Sequence, residues 1–100
     1  MVYVPVAKRR HAKKIALTVI KEKLAACANI LGPSVSLYQW KGKVVSGREF
    51  ILMLKTTEAK FSKLERRIAE LHPYDCPCIA KIGLAGLNAP YLKWLVKSVS

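Results

Sequence analysis

Residues 70–83, ELHPYDCPCIAKIG, place one of two histidines, an aspartate and two of three cysteines within seven positions. Imidazole and thiolate are borderline to soft donors suited to copper or zinc, so His72, Cys76 and Cys78 form a candidate metal set, with Asp75 among them. In an extended segment, residues two apart project to one face, which would let Cys76 and Cys78 reach the same ion. Against this, three donors fall short of the four that close a structural zinc site, and paired C-x₂-C spacing is absent. The favoured reading is therefore thiols at the start of a strand, with no metal required for folding. Copper or another divalent metal is the weaker alternative.

Other chemistry is sparse. Cys27 sits in an Ala-rich apolar stretch and reads as a small buried hydrophobe. His11, among basic neighbours, reads as a solvated surface histidine. There is no Gly-rich phosphate loop, no Ser/His/Asp set and no pair of carboxylates spaced for acid–base work. With six acidic residues in the chain, most of them on helix faces, an enzyme is disfavoured. Charge is the unusual property. Eighteen Lys and Arg against six Asp and Glu give +12, a balance that attracts nucleic acid, acidic lipid or an acidic protein. Lys8, Arg9, Arg10, Lys13 and Lys14 form the densest basic group and are the candidate polyanion contacts. An odd number of cysteines argues against a disulfide framework and for a reducing compartment, hence the cytoplasm. No apolar run reaches the roughly 18–20 residues of a spanning helix, and Val2 to Ala7 is too short for a signal-peptide core. The basic, acid-free residues 1–21 read as the first strand and helix rather than a presequence.

These residues need a scaffold, and 100 residues with 52% apolar content make one domain, 1–100, with a single core. Val2 to Val6 reads as a strand. Ala12, Ile15, Ala16, Val19 and Ile20 mark one face of a helix over 8–24. Ala25 to Ile30 and Val35 to Trp40 read as strands broken by the LGPS bend, and WKGK at 40–43 as a hairpin turn. Val44–Val45 and Phe50 to Thr56 return. Thr57 caps a second helix carrying Phe61, Leu64, Ile68 and Leu71, and Pro73 stops it. Cys78 to Ile82 is a fourth strand, and Asn88 caps a last helix through Tyr91, Trp94 and Leu95. The order β-α-β-β-α-β plus a C-terminal helix is the ferredoxin-like α+β arrangement, a four-stranded antiparallel sheet with two helices on one face.

The stretches EKLAACANI (22–30), SLYQWKGKV (36–44), LKTTEAKF (54–61), LHPYDCPCI (71–79) and NAPYLKWL (88–95) keep their order and spacing over residues 12–97. On them the chain strongly resembles the CutA family of divalent-cation tolerance proteins. The resemblance implies a ferredoxin-like protomer in a tight homotrimer joined through sheet edges, related to nitrogen-regulator-type trimers that bind small ligands between subunits. It implies copper binding and metal tolerance rather than catalysis, with His72 at the position of a histidine through which some members bind copper. The chain departs from the family at Cys76 and Cys78, where Val and Glu are usual, and in the less acidic loop at 82–87. It also departs in PVAKRR, which lacks both an N-cap oxygen and an acidic residue.

With that resemblance, the candidate residues of an inter-subunit ligand cleft are Trp40, Lys41, Lys55, His72, Tyr74, Asp75, Tyr91 and Trp94. Aromatic walls with few polar groups are how such clefts are built, and Lys55 would hold an anion by charge. Trimer packing is the competing role for Trp40, Tyr91 and Trp94. The leading function is a non-enzymatic, metal- or ligand-responsive homotrimer. A second reading is an assembly building block with a further apolar interface through Val6, Ala7, Leu17, Leu84 and Leu87. A third is non-specific nucleic-acid or other polyanion binding, because SGREFILML lacks the aromatic pattern that reads RNA bases.

Overall fold

In a computed structural model describing residues 1–100, the elements are β1 (Val2–Val6), α1 (Arg9–Lys21), β2 (Cys27–Trp40) and β3 (Lys43–Lys55), then α2 (Phe61–Leu71), β4 (Ala80–Lys81) and α3 (Ala89–Ser98). A short 3₁₀ turn, Glu58–Lys60, leads into α2. The strands form one antiparallel sheet in the order β2-β3-β1-β4. The expected ferredoxin-like α+β fold is therefore present.

Period-two alternation aims the core. Val2, Val4 and Val6 are buried while Tyr3 and Pro5 are not, and Val2 and Val4 pair with the buried Leu54 and Leu52 of β3. Ala12, Ile15, Ala16 and Val19 of α1 and Leu64 and Ile68 of α2 close over this face in one cluster. Lateral packing of α3 makes a second, smaller cluster of Ala26, Leu95 and Val99. By the same alternation Lys55 and its ladder partner Cys27 point away from the α1/α2 face.

Several expectations need correction. Val6 is fully buried in the main core, so it belongs to no second interface; Leu17 and Leu84 are exposed, and Ala7 and Leu87 are half-buried. Helix α1 stops at Lys21 rather than residue 24, because Lys23 takes a positive φ of 59° and the chain turns back. Ile20 is more than one-third exposed. Residues 27–40 are one strand with a bulge between Leu31 and Ser34, where a break was expected. Thr57 precedes the 3₁₀ turn and makes no side-chain capping bond; Asn88 takes the N-cap position of α3, also without one. The fourth strand holds only Ala80 and Lys81, so Cys78 lies in the loop before it. His11 is half-buried, with an Nδ1 that has no partner, rather than solvated.

The bulge depends on Gly32. Its φ is +139°, and a Cβ there would stand 3.0 Å from the Phe50 ring and 3.1 Å from the Glu49 carbonyl oxygen. Gly32→Ala is expected to destabilise the protein by about 1–3 kcal/mol, because both the backbone and the facing strand must give. Thermal melting checks this, and an unchanged midpoint would contradict it.

Candidate functional site

Beyond the core, β2 and β3 continue as a two-stranded arm. Lys41 (φ 51°) and Gly42 (φ 79°) close it as a two-residue turn between the paired Trp40 and Lys43, as the WKGK motif predicts. Between this arm, the end of β1 and the loop after α2 runs a groove of about 930 Å³. Its walls include Tyr38, Trp40, Arg48 and Glu49 from the arm and Tyr74, Asp75, Cys76 and Cys78 from the loop.

The loop is fixed from below. His72 ends α2 and is only 7% exposed. The Tyr74 N–H donates to its Nδ1 at 3.1 Å, so Nε2 carries the proton and donates to the Pro5 carbonyl at 2.9 Å. The two ring nitrogens are thus spent on holding the loop against β1. Above it, the Tyr74 hydroxyl donates to Glu49 Oε2 at 2.8 Å and clasps the loop to the arm. Partial burial, followed by this bond and the Glu49 charge, pushes the Tyr74 pKa up to about 12. A folded-state value raised above the unfolded phenol value near 10 means the clasp contributes fully below pH ~10 and is lost as pH rises toward 12. Ultraviolet titration is expected to show a late-ionising tyrosine component near pH 12 that Tyr74→Phe removes. If the titration curve is the same in both proteins, the clasp is wrongly assigned.

The three proposed metal donors do not converge. No three His, Cys, Asp or Glu side chains are placed to hold one ion, and His72 faces inward with both nitrogens engaged. Cys76 and Cys78 are free, exposed and both on the groove wall.

The eight residues expected in one cleft separate in the protomer. Trp40, Tyr74 and Asp75 line the groove, with His72 beneath them. Lys41 stands at the arm's tip, its Nζ 5.9 Å from the Trp40 ring centre. Lys55 and Tyr91 meet under α3 instead. Cys27 Sγ shares a hydrogen bond with the Tyr91 hydroxyl at 3.3 Å, and Lys55 Nζ lies 3.9 Å from that sulfur and 5.6 Å from the Tyr91 ring centre. The bond with Cys27 is the main reason that the Tyr91 hydroxyl is held above its ordinary pKa. Trp94 packs on Tyr91 with ring centres 5.4 Å apart. Cys27 is therefore half-buried and hydrogen-bonded, not the buried hydrophobe its Ala-rich neighbourhood implied.

Glu49, Arg48 and Tyr38 were not anticipated. Tyr38 was legible, since it lies two residues from Trp40 and so on the same side of the strand. Glu49 was not, because its place opposite Ser34 depends on the bulge. Lys8, Arg9, Arg10, Lys13 and Lys14 are all exposed, and the Arg9 guanidinium lies 4.7 Å over the Phe50 ring centre.

Known proteins match this architecture. The family described as "CutA1 divalent ion tolerance protein" matches residues 1–98. The "Divalent-cation tolerance protein CutA" of Thermus thermophilus is 41% identical over 95 residues, covering 95% of this chain and 92% of that one. A solved structure from Thermus thermophilus, described as "Divalent cation tolerance protein (Cut A1)", superposes with a TM-score of 0.95 at 39% identity, over 99% of this chain and 96% of that one. A protein of Archaeoglobus fulgidus described as the "Periplasmic divalent cation tolerance protein CutA" reaches 0.96 at 31% identity, over 99% and 96%. Relatives from Arabidopsis thaliana and Oryza sativa are described as chloroplastic, so compartment varies among relatives, and here no helix is long and apolar enough to cross a membrane. With residues 1–98 matched in sequence and 99% of the chain in fold, the chain belongs to the CutA1 divalent ion tolerance family.

Proposed function

We propose that the protein is a non-enzymatic homotrimeric binding module whose groove beside Tyr74 is a small-ligand cleft at a seam between subunits. The observation that carries the cleft is a charge anomaly. Among eighteen cationic side chains, Glu49 and Asp75 form no salt bridge, yet both line one groove with Tyr38, Trp40 and Tyr74. Arg48 is the only basic side chain on its walls. Carboxylates beside aromatic faces favour a positively charged ligand, by Coulombic and cation–π attraction.

Assembly is supported by what the protomer leaves uncovered. Val35, Leu37 and Val44 share one face of the arm by register and are each more than 70% exposed. The radius of gyration, 14.3 Å, exceeds the roughly 13 Å of a compact chain this long. A bare two-stranded ribbon is marginal in water, and the two sheet edges, β2 and β4, differ from each other. Unlike edges pair head to tail, a contact that makes a ring where its rotation closes, and the family resemblance gives that ring three members.

A metal-responsive reading of the same groove rests on Cys76 and Cys78. One protomer does not fit a divalent ion, so its donors would have to be completed by a second subunit. Three free thiols suit a reducing compartment, and the cytoplasm is the compartment proposed. The exposed Leu17 and Leu84 are what remains of the building-block reading. Trp40 emission, read in a Trp94→Phe protein, tests the cleft against copper(II), zinc and small organic ammonium ions in turn. A saturable change abolished by Glu49→Gln with Asp75→Asn supports it; no saturable change with any of them overturns it.

A further inference from the structure

A second hollow lies where the ends of β1, β3 and β4 meet the loop before α3. It has a volume of about 340 Å³ and shares no lining residue with the groove, so it stands or falls independently of the cleft. Phe61, Leu84, Leu87 and Leu92 are four of its eight apolar lining residues. Its polar groups are few, and one of them, the Met1 ammonium, donates to the Ile82 carbonyl oxygen at 2.8 Å. Lys81 and Glu58, both on the wall, are paired with each other and cancel. Thr57 makes no side-chain capping bond, leaving its hydroxyl free. Lys55 is half-buried and forms no salt bridge; its Nζ has only the Cys27 sulfur at 3.9 Å and the Tyr91 ring face.

A half-buried ammonium gains little from a distant thiol or a ring face compared with an anion in contact, because charge-assisted hydrogen bonds are the strong ones. An apolar wall beside that ammonium selects the rest of the ligand. We propose that this hollow is a ligand site for a small organic carboxylate with an apolar body, its carboxylate on Lys55 Nζ and its body against Leu87 and Leu92, on the α3 side of the sheet. Inorganic phosphate meets only the charge, and a neutral alcohol meets only the wall. Each should bind more weakly than a molecule that satisfies both.

Titration calorimetry of the assembled protein with hexanoate, hexanol and inorganic phosphate tests the site. Hexanoate is expected to bind saturably, about tenfold or more tighter than hexanol or phosphate. Lys55→Met, which keeps the aliphatic stem, should remove that advantage while leaving hexanol unchanged. Should Lys55→Met fold poorly, Leu84→Asp gives an independent check. Its side chain is exposed on the wall, and the added carboxylate should repel hexanoate by a similar factor. Absence of saturable hexanoate binding, equal affinity for hexanoate and hexanol, phosphate binding as tight as hexanoate, or hexanoate affinity unchanged in the folded variants would each overturn the proposal.

Discussion

Leu37→Asp is expected to break the assembly into monomers at micromolar concentration and to lower the melting midpoint by about 10 °C or more. Leu37 is 72% exposed in the protomer, beside Val35 on a ribbon with no core of its own. If a neighbouring subunit covers this stripe, each apolar side chain contributes about 1.5–3 kcal/mol on burial. Placing an unpaired carboxylate there both removes that gain and adds a desolvation cost of similar size. In the proposed ring the loss recurs in every subunit. Ring stability and protomer folding are linked by mass action, so dissociation appears as a lower, concentration-dependent melting temperature. An exposed Leu on a monomer tolerates aspartate within about 0.5 kcal/mol. A variant that keeps both its mass and its midpoint would therefore show that the stripe faces water.

Neutralising Arg9, Arg10, Lys13 and Lys14 together is expected to flatten the salt dependence of nucleic-acid binding without loosening the proposed trimer. These side chains are exposed at the start of α1, opposite the buried Ala12, Ile15, Ala16 and Val19. Helix α1 has no acid in its first turn and no capping side chain, so nothing local offsets them. In the proposed trimer, three chains at +12 would carry about +36, a field that draws polyanions from beyond contact distance. Binding carried by counterion release weakens steeply as salt rises, and the slope falls by about one for each phosphate that is no longer neutralised. Retention of mixed-sequence DNA at low and high salt, for both proteins, measures this. Tight binding that survives high salt, or a marked preference for one sequence, would contradict a purely electrostatic surface.

The fold was legible because its signals were redundant. Alternation in β1, helical spacing in α1 and α2, and the WKGK turn each report one element. Together they leave one arrangement with every buried face covered. The errors fall where tertiary contacts overrule local pattern. Val6 looked surplus beside Pro5, yet strand alternation seats it against α1 and α2. Cys78 looked like a strand residue, but the ladder on β1 reaches only Ala80 and Lys81. Cys27 read as a hydrophobe because its neighbours are alanines; its partner Tyr91 is 64 residues away. His72 was a candidate ligand, the weaker reading, by residue type and by the family resemblance, while the sequence could not reveal that Pro5 and Tyr74 occupy both nitrogens. The groove was half legible. Trp40, Tyr74 and Asp75 follow from motif and residue type, whereas Glu49 needs the bulge at Gly32 to set its register.

The central claim is that the protomer is incomplete alone and closes into a ring of three. Sedimentation equilibrium at micromolar concentration tests it most directly. With a protomer of 11.2 kDa, the predicted mass is about 34 kDa, with no folded monomer on dilution until the whole structure melts. A stably folded species of 11.2 kDa under those conditions would contradict the account.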